Sequence, residues 1–347
     1  MKRVAGVDLN ARSDSALTDS DRATGWSPDA GKRRERFADP IRTLLAHLPI
    51  DERVERAETD RIAVVPDAHH PFHPSTGTVT DPAVIGALVA ALERSFPGAD
   101  VAVAGSSDHL GFERTVEYLG YRSVLENVPD GSTRDVSTID LADSTRVGRT
   151  VRASGERVSV SLPTPLIDRT VIVAPSLRPT RAGPVAGAMR TLGRSLDAGD
   201  GRTELEPETV VAATRAVDPA GALLDATTAY AGHPVAAGAL LAGDCVSVDA
   251  VAADLLGRDP AADAVLEAAT GGESFAVSVD GLAFDDLRSR LPSGGGLPGG
   301  ADPHPAVARA YRLYAAVSGD AVPPQLERAS RGGDGERNRG GGGDPDR

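Results

Sequence analysis

Short apolar runs and segments of helical spacing alternate through the middle of the chain. Residues 62–65, Ile-Ala-Val-Val, form an apolar run that Pro66 stops, which is typical of a buried strand. Asp81 and Pro82 then supply an N-cap and a first helical position, and they predict a helix that continues to Ser95. The pattern therefore begins with a strand, a loop and a helix.

The same order repeats farther along the chain. An apolar run at 101–104 predicts a second buried strand, and residues 112–119 follow with the spacing of a helix. Repeats of this kind predict parallel strands joined by right-handed crossovers. Similar patterns predict further strands at 170–174, 222–225, 239–242 and 275–279. They also predict further helices at 244–256, 259–269 and 284–291.

One segment departs from this order. Residues 147–151 and 158–162 alternate on either side of Ser154-Gly155, which predicts an antiparallel hairpin inserted at about 145–162. The predicted fold class is therefore α/β, with a mostly parallel sheet, helices on both of its faces and a small antiparallel hairpin insert.

The two ends of the chain differ from its middle. Residues 1–58 have mixed charge and few aliphatic side chains, and one helix at 40–48, so a polar and helical N-terminal extension is predicted. A single α/β domain is predicted over 59–291. Residues 292–328 are expected to hold a linker and a final helix, and the Gly-, Asp- and Arg-rich residues 329–347 predict a disordered tail.

Composition limits the classes of partner. Among 347 residues, 50 acidic and 37 basic side chains give a formal net charge of -13, which argues against nucleic acid and anionic membranes as partners. Lys2 and Lys32 are the only lysines, and this acidic, arginine-rich composition is typical of proteins from salt-loving microbes. No apolar stretch reaches the ~20 residues of a membrane span, and no signal-peptide pattern opens the chain, so a cytoplasmic location is predicted.

Cysteine and histidine content limits the cofactors. Cys245 is the only cysteine, so an internal disulfide and an iron–sulfur cluster held by this chain alone are excluded. Imidazole groups bind zinc, nickel and iron, and His69, His70 and His73 follow the first predicted strand as candidate ligands of a divalent metal. The alternative is a proline-stiffened polar loop whose histidines face solvent or cap backbone groups.

Polar residues follow the predicted strands at the edge where ligands bind in parallel sheets. Candidate acid or base groups in these positions, or in the helix at 244–256, are Asp67, His109, Asp225 and Asp249. A candidate anion site lies at Gly105-Ser106-Ser107, where backbone amide groups lead into a helix.

Several motifs stand in the order that one protein family shows. Residues 76–82, Thr-Gly-Thr-Val-Thr-Asp-Pro, precede the first helix, and residues 104–107, Ala-Gly-Ser-Ser, end the second strand. The longest motif covers residues 240–253, Leu-Leu-Ala-Gly-Asp-Cys-Val-Ser-Val-Asp-Ala-Val-Ala-Ala, and residues 257–260, Gly-Arg-Asp-Pro, follow it. From about residue 61 to 270, the ordered set resembles the family known as domain of unknown function 362.

The resemblance implies ligand-binding positions at Thr76, Gly77, Arg178 and Arg190. Lysines recur in the loops of that family, whereas this chain has Asp67 near the first of those positions and arginine near the other two. Arginine can clamp a carboxylate or a phosphate, but it cannot act as a titrating base. Some relatives also carry a cysteine-rich ferredoxin module, which a single cysteine excludes here.

These features favour a protein that binds or acts on a small anionic metabolite at the carboxyl edge of the sheet, with a divalent metal as an open alternative. A second hypothesis is a non-catalytic, degenerate binding or assembly member of the family, because three loop lysines are absent. A third is a distant relative of the metal-dependent lactate racemases that use acid–base chemistry. The sequence leaves open whether the protein is an enzyme and whether it forms homo-oligomers.

Overall fold

A computed structural model describes residues 2–10, 30–57, 60–69, 72–107, 111–126, 136–180, 183–196, 205–273 and 276–292. The predictions for the C-terminal linker, final helix and tail lie outside these residues, apart from residue 292. The histidines His70 and His109 also lie outside them.

Twelve strands are present in the described residues. In chain order they are β1 (Lys2–Asp8), β2 (Arg61–Pro66), β3 (Asp100–Gly105), β4 (Ser137–Asp140), β5 (Arg146–Ala153), β6 (Glu156–Pro163), β7 (Thr170–Ala174), β8 (Gly221–Ala226), β9 (Ala229–Tyr230), β10 (Pro234–Val235), β11 (Ala239–Gly243) and β12 (Val277–Asp280). Eight of them form one sheet in the order β12-β1-β11-β8-β7-β2-β3-β4. In this sheet β11 alone runs against its neighbours.

Ten α-helices are present in the same residues. They are α1 (Ala30–Leu45), α2 (Ile50–Ala57), α3 (Pro82–Ser95), α4 (Phe112–Tyr118), α5 (Tyr121–Glu126), α6 (Gly187–Arg194), α7 (Pro207–Val217), α8 (Cys245–Leu255), α9 (Ala264–Thr270) and α10 (Phe284–Arg290). Three short 3-10 turns lie at Pro74–Thr76, Thr164–Leu166 and Pro260–Ala262.

The helices cover both faces of the sheet, and two apolar cores result. In β2, Ile62 and Val64 belong to the core under α1 to α5, whereas Ala63 and Val65 belong to the core under α6 to α10. Successive side chains of a strand point to opposite faces, which explains why a continuous apolar run is needed in a strand covered on both sides. The predicted α/β class is confirmed.

Local signals account for the best-predicted elements. The Asp81 carboxylate accepts a hydrogen bond from the Ala83 N–H at 2.8 Å, and Pro82 occupies the first turn of α3, which ends at Ser95 as predicted. The hairpin insert is also confirmed, because β5 and β6 pair antiparallel across the turn at Ser154-Gly155. Within the described residues, no helix is long and apolar enough to cross a membrane.

The N-terminal residues depart from the prediction of a separate extension. β1 lies inside the sheet between β12 and β11, and α1 packs against α3. The short run with Val4, Ala5 and Val7 is flanked by charged residues, so its apolar pattern is too brief to predict a strand. The helix predicted at 40–48 begins earlier, at Ala30, and contains Pro40.

A second departure concerns the helix predicted over 259–269. It is divided into the 3-10 turn at Pro260–Ala262 and α9, which begins after Asp263. The Asp263 carboxylate accepts hydrogen bonds from the N–H groups of Val265 at 2.8 Å and Leu266 at 3.3 Å, so a new N-cap interrupts the helix.

The order of strands reverses at one place in the sheet. β3 pairs with β2 on one side, whereas β7 pairs with β2 on the other side. The strand order therefore reverses at β2, and the carboxyl ends of β2 and β7 form a topological switch point, where ligands bind in open α/β sheets.

Candidate functional site

Asp67 stands at the switch point, directly after β2. Its backbone N–H donates to the Ala174 carbonyl at 3.1 Å, so the ladder between β2 and β7 continues to this residue. Its side chain is fully buried, and Arg178 donates to both carboxylate oxygens, from Nε at 2.7 Å and from Nη2 at 2.9 Å. The Ser176 hydroxyl donates a further bond at 2.9 Å. Residues after β2 and β7 thus form one buried ionic cluster.

The surroundings of Asp67 decide its protonation state. Burial by itself raises the pKa of this carboxyl, but Arg178, His69 and the Ser176 hydroxyl together lower it to about 2. The side chain is therefore ionised at neutral pH. Asp67 is paired with Arg178, and the role of acid or base that the sequence predicts for it stays a prediction.

A second layer joins the cluster through Asp225, at the carboxyl end of β8. One carboxylate oxygen of Asp225 accepts the backbone N–H of Asp81 at 2.7 Å, and the other accepts the N–H and hydroxyl of Thr227 at 2.9 and 2.7 Å. The Asp81 carboxylate forms a buried ion pair with Arg33 of α1. The loop before α3 is thereby tied to both β8 and the N-terminal helix.

Electrostatics differ between the two layers. Burial and the nearby Asp81 raise the pKa of Asp225 to about 6. Burial also raises the pKa of Asp81, against the opposing effect of Arg33. Tyr121, whose hydroxyl donates to the Thr80 carbonyl at 2.8 Å, has its pKa raised well above the usual value by burial and the surrounding carboxylates. Both carboxyl groups of this layer therefore have raised pKa values.

Asp249 lies on α8, and its side chain contacts the N-terminus of α6. Its carboxylate accepts the backbone N–H groups of Ala188 and Met189, the latter at 3.0 Å. Gly187 allows this approach, because it has a φ of +60° and a Cβ there would lie 2.5 Å from the Asp249 carboxylate. Burial raises the pKa of Asp249 to about 7, although both hydrogen bonds from the amides lower it.

Arg190 is the second arginine that the family resemblance selected. It lies on α6 and donates to both oxygens of Asp263, at 2.7 and 2.8 Å, and to the Val185 carbonyl at 3.1 Å. Arg178 and Arg190 are therefore both engaged in bidentate pairs with buried carboxylates of the chain. Such pairs leave neither fork available for a ligand carboxylate in this conformation.

Three helices that begin at or near this edge also have carboxylates at their N-termini. Asp81 caps α3, Asp140 accepts the Phe112 N–H of α4 at 2.7 Å, and Asp249 accepts two amides of α6. A helix N-terminus attracts an anion through its amide groups and dipole. At these three N-termini, carboxylates of the protein itself accept the hydrogen bonds that a bound anion would accept.

Two of the candidate histidines, His69 and His73, lie in the described residues and bond to other groups of the chain. His69 is buried, and its Nε2 lies 3.1 Å from the Thr191 carbonyl of α6. His73 is exposed, and its Nδ1 accepts the Ser75 N–H at 3.3 Å at the start of a 3-10 turn. Within the described residues, no group of three or more His, Cys, Asp or Glu side chains is arranged to hold a metal ion. His69 and His73 form no ligand set by themselves, and a metal site that includes His70 stays a prediction.

The loop after β3 lies beside that after β2. Ser107 is half-buried, and its hydroxyl donates to the His69 carbonyl at 3.3 Å, while the Ser106 hydroxyl donates to the Arg194 carbonyl at 3.4 Å. Gly105 is needed for packing, because a Cβ there would lie 2.5 Å from the Phe112 ring. An anion at 105–107 stays a prediction.

Thr76 and Gly77 shape the first loop. The Thr76 hydroxyl donates to the His73 carbonyl at 2.7 Å and lies 2.7 Å from the Thr78 hydroxyl. Gly77 has a φ of +69°, and a Cβ there would lie 2.7 Å from the Thr228 carbonyl oxygen. The pair therefore allows this loop to approach the segment after β8, and Thr76 keeps a partly exposed side chain.

Three residues of the two layers were absent from the predicted site: Arg33, Ser176, and Asp81, which the sequence predicts only as an N-cap. Arg33 lies on the same stripe of α1 as the buried Phe37, Ile41 and Leu44, a helical spacing that could have suggested a buried arginine. Ser176 follows a predicted strand, but no local motif identifies it as a partner of Asp67. The structure brings together Asp67, Arg178 and Ser176 at one point, and Asp225 with Asp81 and Arg33 beside it.

Stability is expected to fall as pH rises from about 4 to 7, by roughly 2 kcal/mol per pH unit for the two raised carboxyl groups together. The folded pKa values of Asp225, about 6, and Asp249, about 7, lie above the unfolded value of 3.8, so the folded protein holds protons that the unfolded chain releases. This stabilisation is complete below pH 3.8 and is lost as pH rises through 6 and 7. Urea denaturation between pH 4.5 and 7.5 measures it. Asp249→Asn should make the fall of stability with pH less steep. An unchanged slope would contradict the raised pKa of Asp249.

Comparison with known proteins agrees with the order of motifs. The family model described as "Domain of unknown function (DUF362)" matches residues 62–254, more than half of the chain. The matched segment runs from β2 into α8 and includes Asp67, Arg178, Asp225 and Asp249, whereas Arg33 and Asp263 lie outside it. No curated protein and no solved structure matches the chain.

Proposed function

Because the chain belongs to the DUF362 family, we propose that it binds a small polar metabolite at the carboxyl edge of its main sheet, beside the switch point between β2 and β7. The observation that carries this proposal is the buried cluster of Asp67, Ser176 and Arg178 at that point. It joins the loop after β2 to the loop after β7, and ligands of open α/β sheets bind at such switch points.

The cluster serves as a rigid frame for the site. Asp67 and Arg178 are 0% and 4% exposed, so a ligand does not reach them in this conformation. Burying an ion pair costs several kcal/mol of desolvation, which excellent geometry and further hydrogen bonds offset. A site whose loops are held in this way binds without first ordering them.

The groups that contact the ligand are then the half-buried ones on the bordering loops. Thr76 follows β2, Ser107 follows β3 and Thr180 follows β7, and each is partly exposed. Hydroxyl and backbone groups of this kind bind sugars, polyols and hydroxy acids. The anionic ligand predicted from the arginines has less support, because Arg178 and Arg190 are paired within the protein.

An acid–base enzyme is a second candidate, and one observation favours it. The pKa of Asp225 is raised to about 6, which is near the optimum for proton transfer at neutral pH. The residue is 2% exposed, so substrate would have to reach it through a movement of the Asp81 loop. Asp225→Asn separates the candidates, because a binding protein keeps its ligand unchanged while an enzyme loses turnover.

Equilibrium dialysis tests the binding proposal. The full chain is dialysed against a defined mixture of hydroxy acids, sugars, phosphorylated metabolites and amines, and mass spectrometry identifies the compounds that it retains. We expect at least one hydroxylated compound to be enriched by the wild type. Ser107→Trp fills the space beside the loop after β3 and should reduce that enrichment by more than about tenfold.

Ser289→Trp is the matched control. Ser289 is exposed on α10, which follows β12 at the far end of the sheet from β3, so this variant should enrich the same compound as the wild type. Retention of no compound, or equal retention by Ser107→Trp, would refute a binding site at this edge. Circular dichroism of both variants confirms that each is folded.

A further inference from the structure

A groove of about 710 Å³ lies at the β12 end of the main sheet, away from the switch point. It is bounded by α8, the 3-10 turn at Pro260–Ala262, α9, β12 and α10. β12 is the end strand of the sheet, and five steps in the strand order separate it from β2. Ligand pockets commonly have volumes of about 300–1,000 Å³, so the groove is large enough for a small molecule.

The floor of the groove is apolar. Val251 of α8 and Leu266 of α9 are buried at its base, and Phe284 of α10 lines another side. Val277 and Val279 of β12 are two residues apart, so they face the same side of the sheet, and both are half-buried. An apolar ligand body that covers these side chains removes their surface from water.

The rim of the groove is acidic. Its carboxylates are Asp254, Asp259, Glu267, Glu273 and Asp285. Arg288 is the one basic residue of the lining among the described residues, and it already pairs with Asp254 at 2.7 Å. Acidic groups outnumber basic groups far more here than in the whole chain, which has 50 and 37. The local field of the rim therefore attracts cations.

We propose that this groove binds an amphipathic cation, with an aliphatic or aromatic body on the apolar floor and an amine or quaternary ammonium at the acidic rim. Apolar contact accounts for the affinity and the carboxylates account for the selectivity by charge. A neighbouring depression of about 660 Å³, which shares Glu267, Thr270 and Gly272 with the groove, provides a contrast. Small and polar residues such as Pro207, Glu208 and Gly271 line it, and it offers no comparable apolar floor.

Isothermal titration calorimetry with three probes of one size tests the proposal. Hexyltrimethylammonium, 1-hexanol and hexanesulfonate share an apolar body and differ in charge. The full chain is titrated in a buffer in which circular dichroism shows it folded. We expect saturable binding of the ammonium probe, and binding at least about tenfold weaker for the sulfonate. No saturable binding, or equal binding of cation and anion, would overturn the proposal.

Two variants locate the binding. Glu273→Gln and Asp285→Asn each remove one rim charge of the groove, and each should weaken binding of the ammonium probe about threefold while leaving binding of the neutral probe unchanged. Glu113→Gln removes an exposed carboxylate of α4, on the other face of the sheet, and should have no effect. Equal weakening by all three variants would show that the cation responds to net charge alone, which contradicts a site in the groove.

Discussion

Arg178→Met is expected to lower the free energy of unfolding by about 3–5 kcal/mol, because it leaves the Asp67 carboxylate buried without its partner. Asp67 is fully buried and accepts two bonds from the guanidinium. The remaining donor, the Ser176 hydroxyl, compensates only part of the lost charge interaction. Methionine has a similar length, so the substitution removes charge more than volume.

Urea denaturation at neutral pH measures this loss, since urea does not screen charges as guanidinium does. The matched control is Arg42→Met, because Arg42 pairs with Asp39 at the surface, where the side chains are 66% and 72% exposed. That exposed pair should contribute no more than about 1 kcal/mol. A loss for Arg178→Met as small as for Arg42→Met would show that the buried pair does not hold the loops after β2 and β7.

A double variant separates the effect of the unpaired buried charge from the effect of side-chain packing. Combining Asp67→Leu with Arg178→Met removes both charges, and a buried ion pair replaced by apolar groups is often neutral for stability. The double variant should therefore be more stable than Arg178→Met alone.

In the wild type, the folded pKa of Asp67 is about 2 against 3.8 unfolded, so its stabilising effect is present above pH 3.8 and is lost as pH falls through 2.

Gly187→Ala is expected to cost about 2–4 kcal/mol. The residue has a φ of +60°, which by itself costs about 1–2 kcal/mol for a residue with a Cβ. The new Cβ would also lie 2.5 Å from the Asp249 carboxylate, so that side chain has to move away from the amides of Ala188 and Met189. Lost hydrogen bonds of a buried carboxylate account for the rest.

Gly271→Ala is the matched control for this prediction. Gly271 has a φ of +69°, close to that of Gly187, but a Cβ there would meet no heavy atom within 4 Å. It should cost only the backbone strain of a residue with a Cβ at positive φ, about 1–2 kcal/mol. The difference between the two variants in thermal or urea unfolding measures the close approach of Asp249 to α6. Equal costs would mean that Asp249 does not hold the N-terminus of this helix.

Elements with local signals were predicted well, and elements without them were not. The helix from Pro82 to Ser95 has its cap, its proline and its apolar stripe within one short segment. β1 has only seven residues and a charged flank, and its place between β12 and β11 depends on residues more than 200 positions away. Distant pairing of this kind leaves no local pattern in the strand itself.

The candidate site shows the same division. Asp67, Asp225 and Asp249 were selected because they follow strands or stand in an apolar helix. Their partners were not predicted, because Arg178 is 111 positions from Asp67, and Asp81, whose N–H donates to Asp225, is 144 positions from it. The histidines were selected for their density in one loop, but His69 turns toward α6 and His73 starts a 3-10 turn.

The sequence alone determined the α/β class, the alternation of strands and helices, and the family, since periodicity, caps and ordered motifs all act within a few residues. The tertiary structure decided which charged groups meet. Any of 37 basic side chains could pair with any of 50 acidic ones, and only the strand order at β2 selects Arg178 for Asp67. Once these groups are buried together, desolvation makes their pairing obligatory, and the arginines that the sequence predicted to bind a ligand hold the frame of the site.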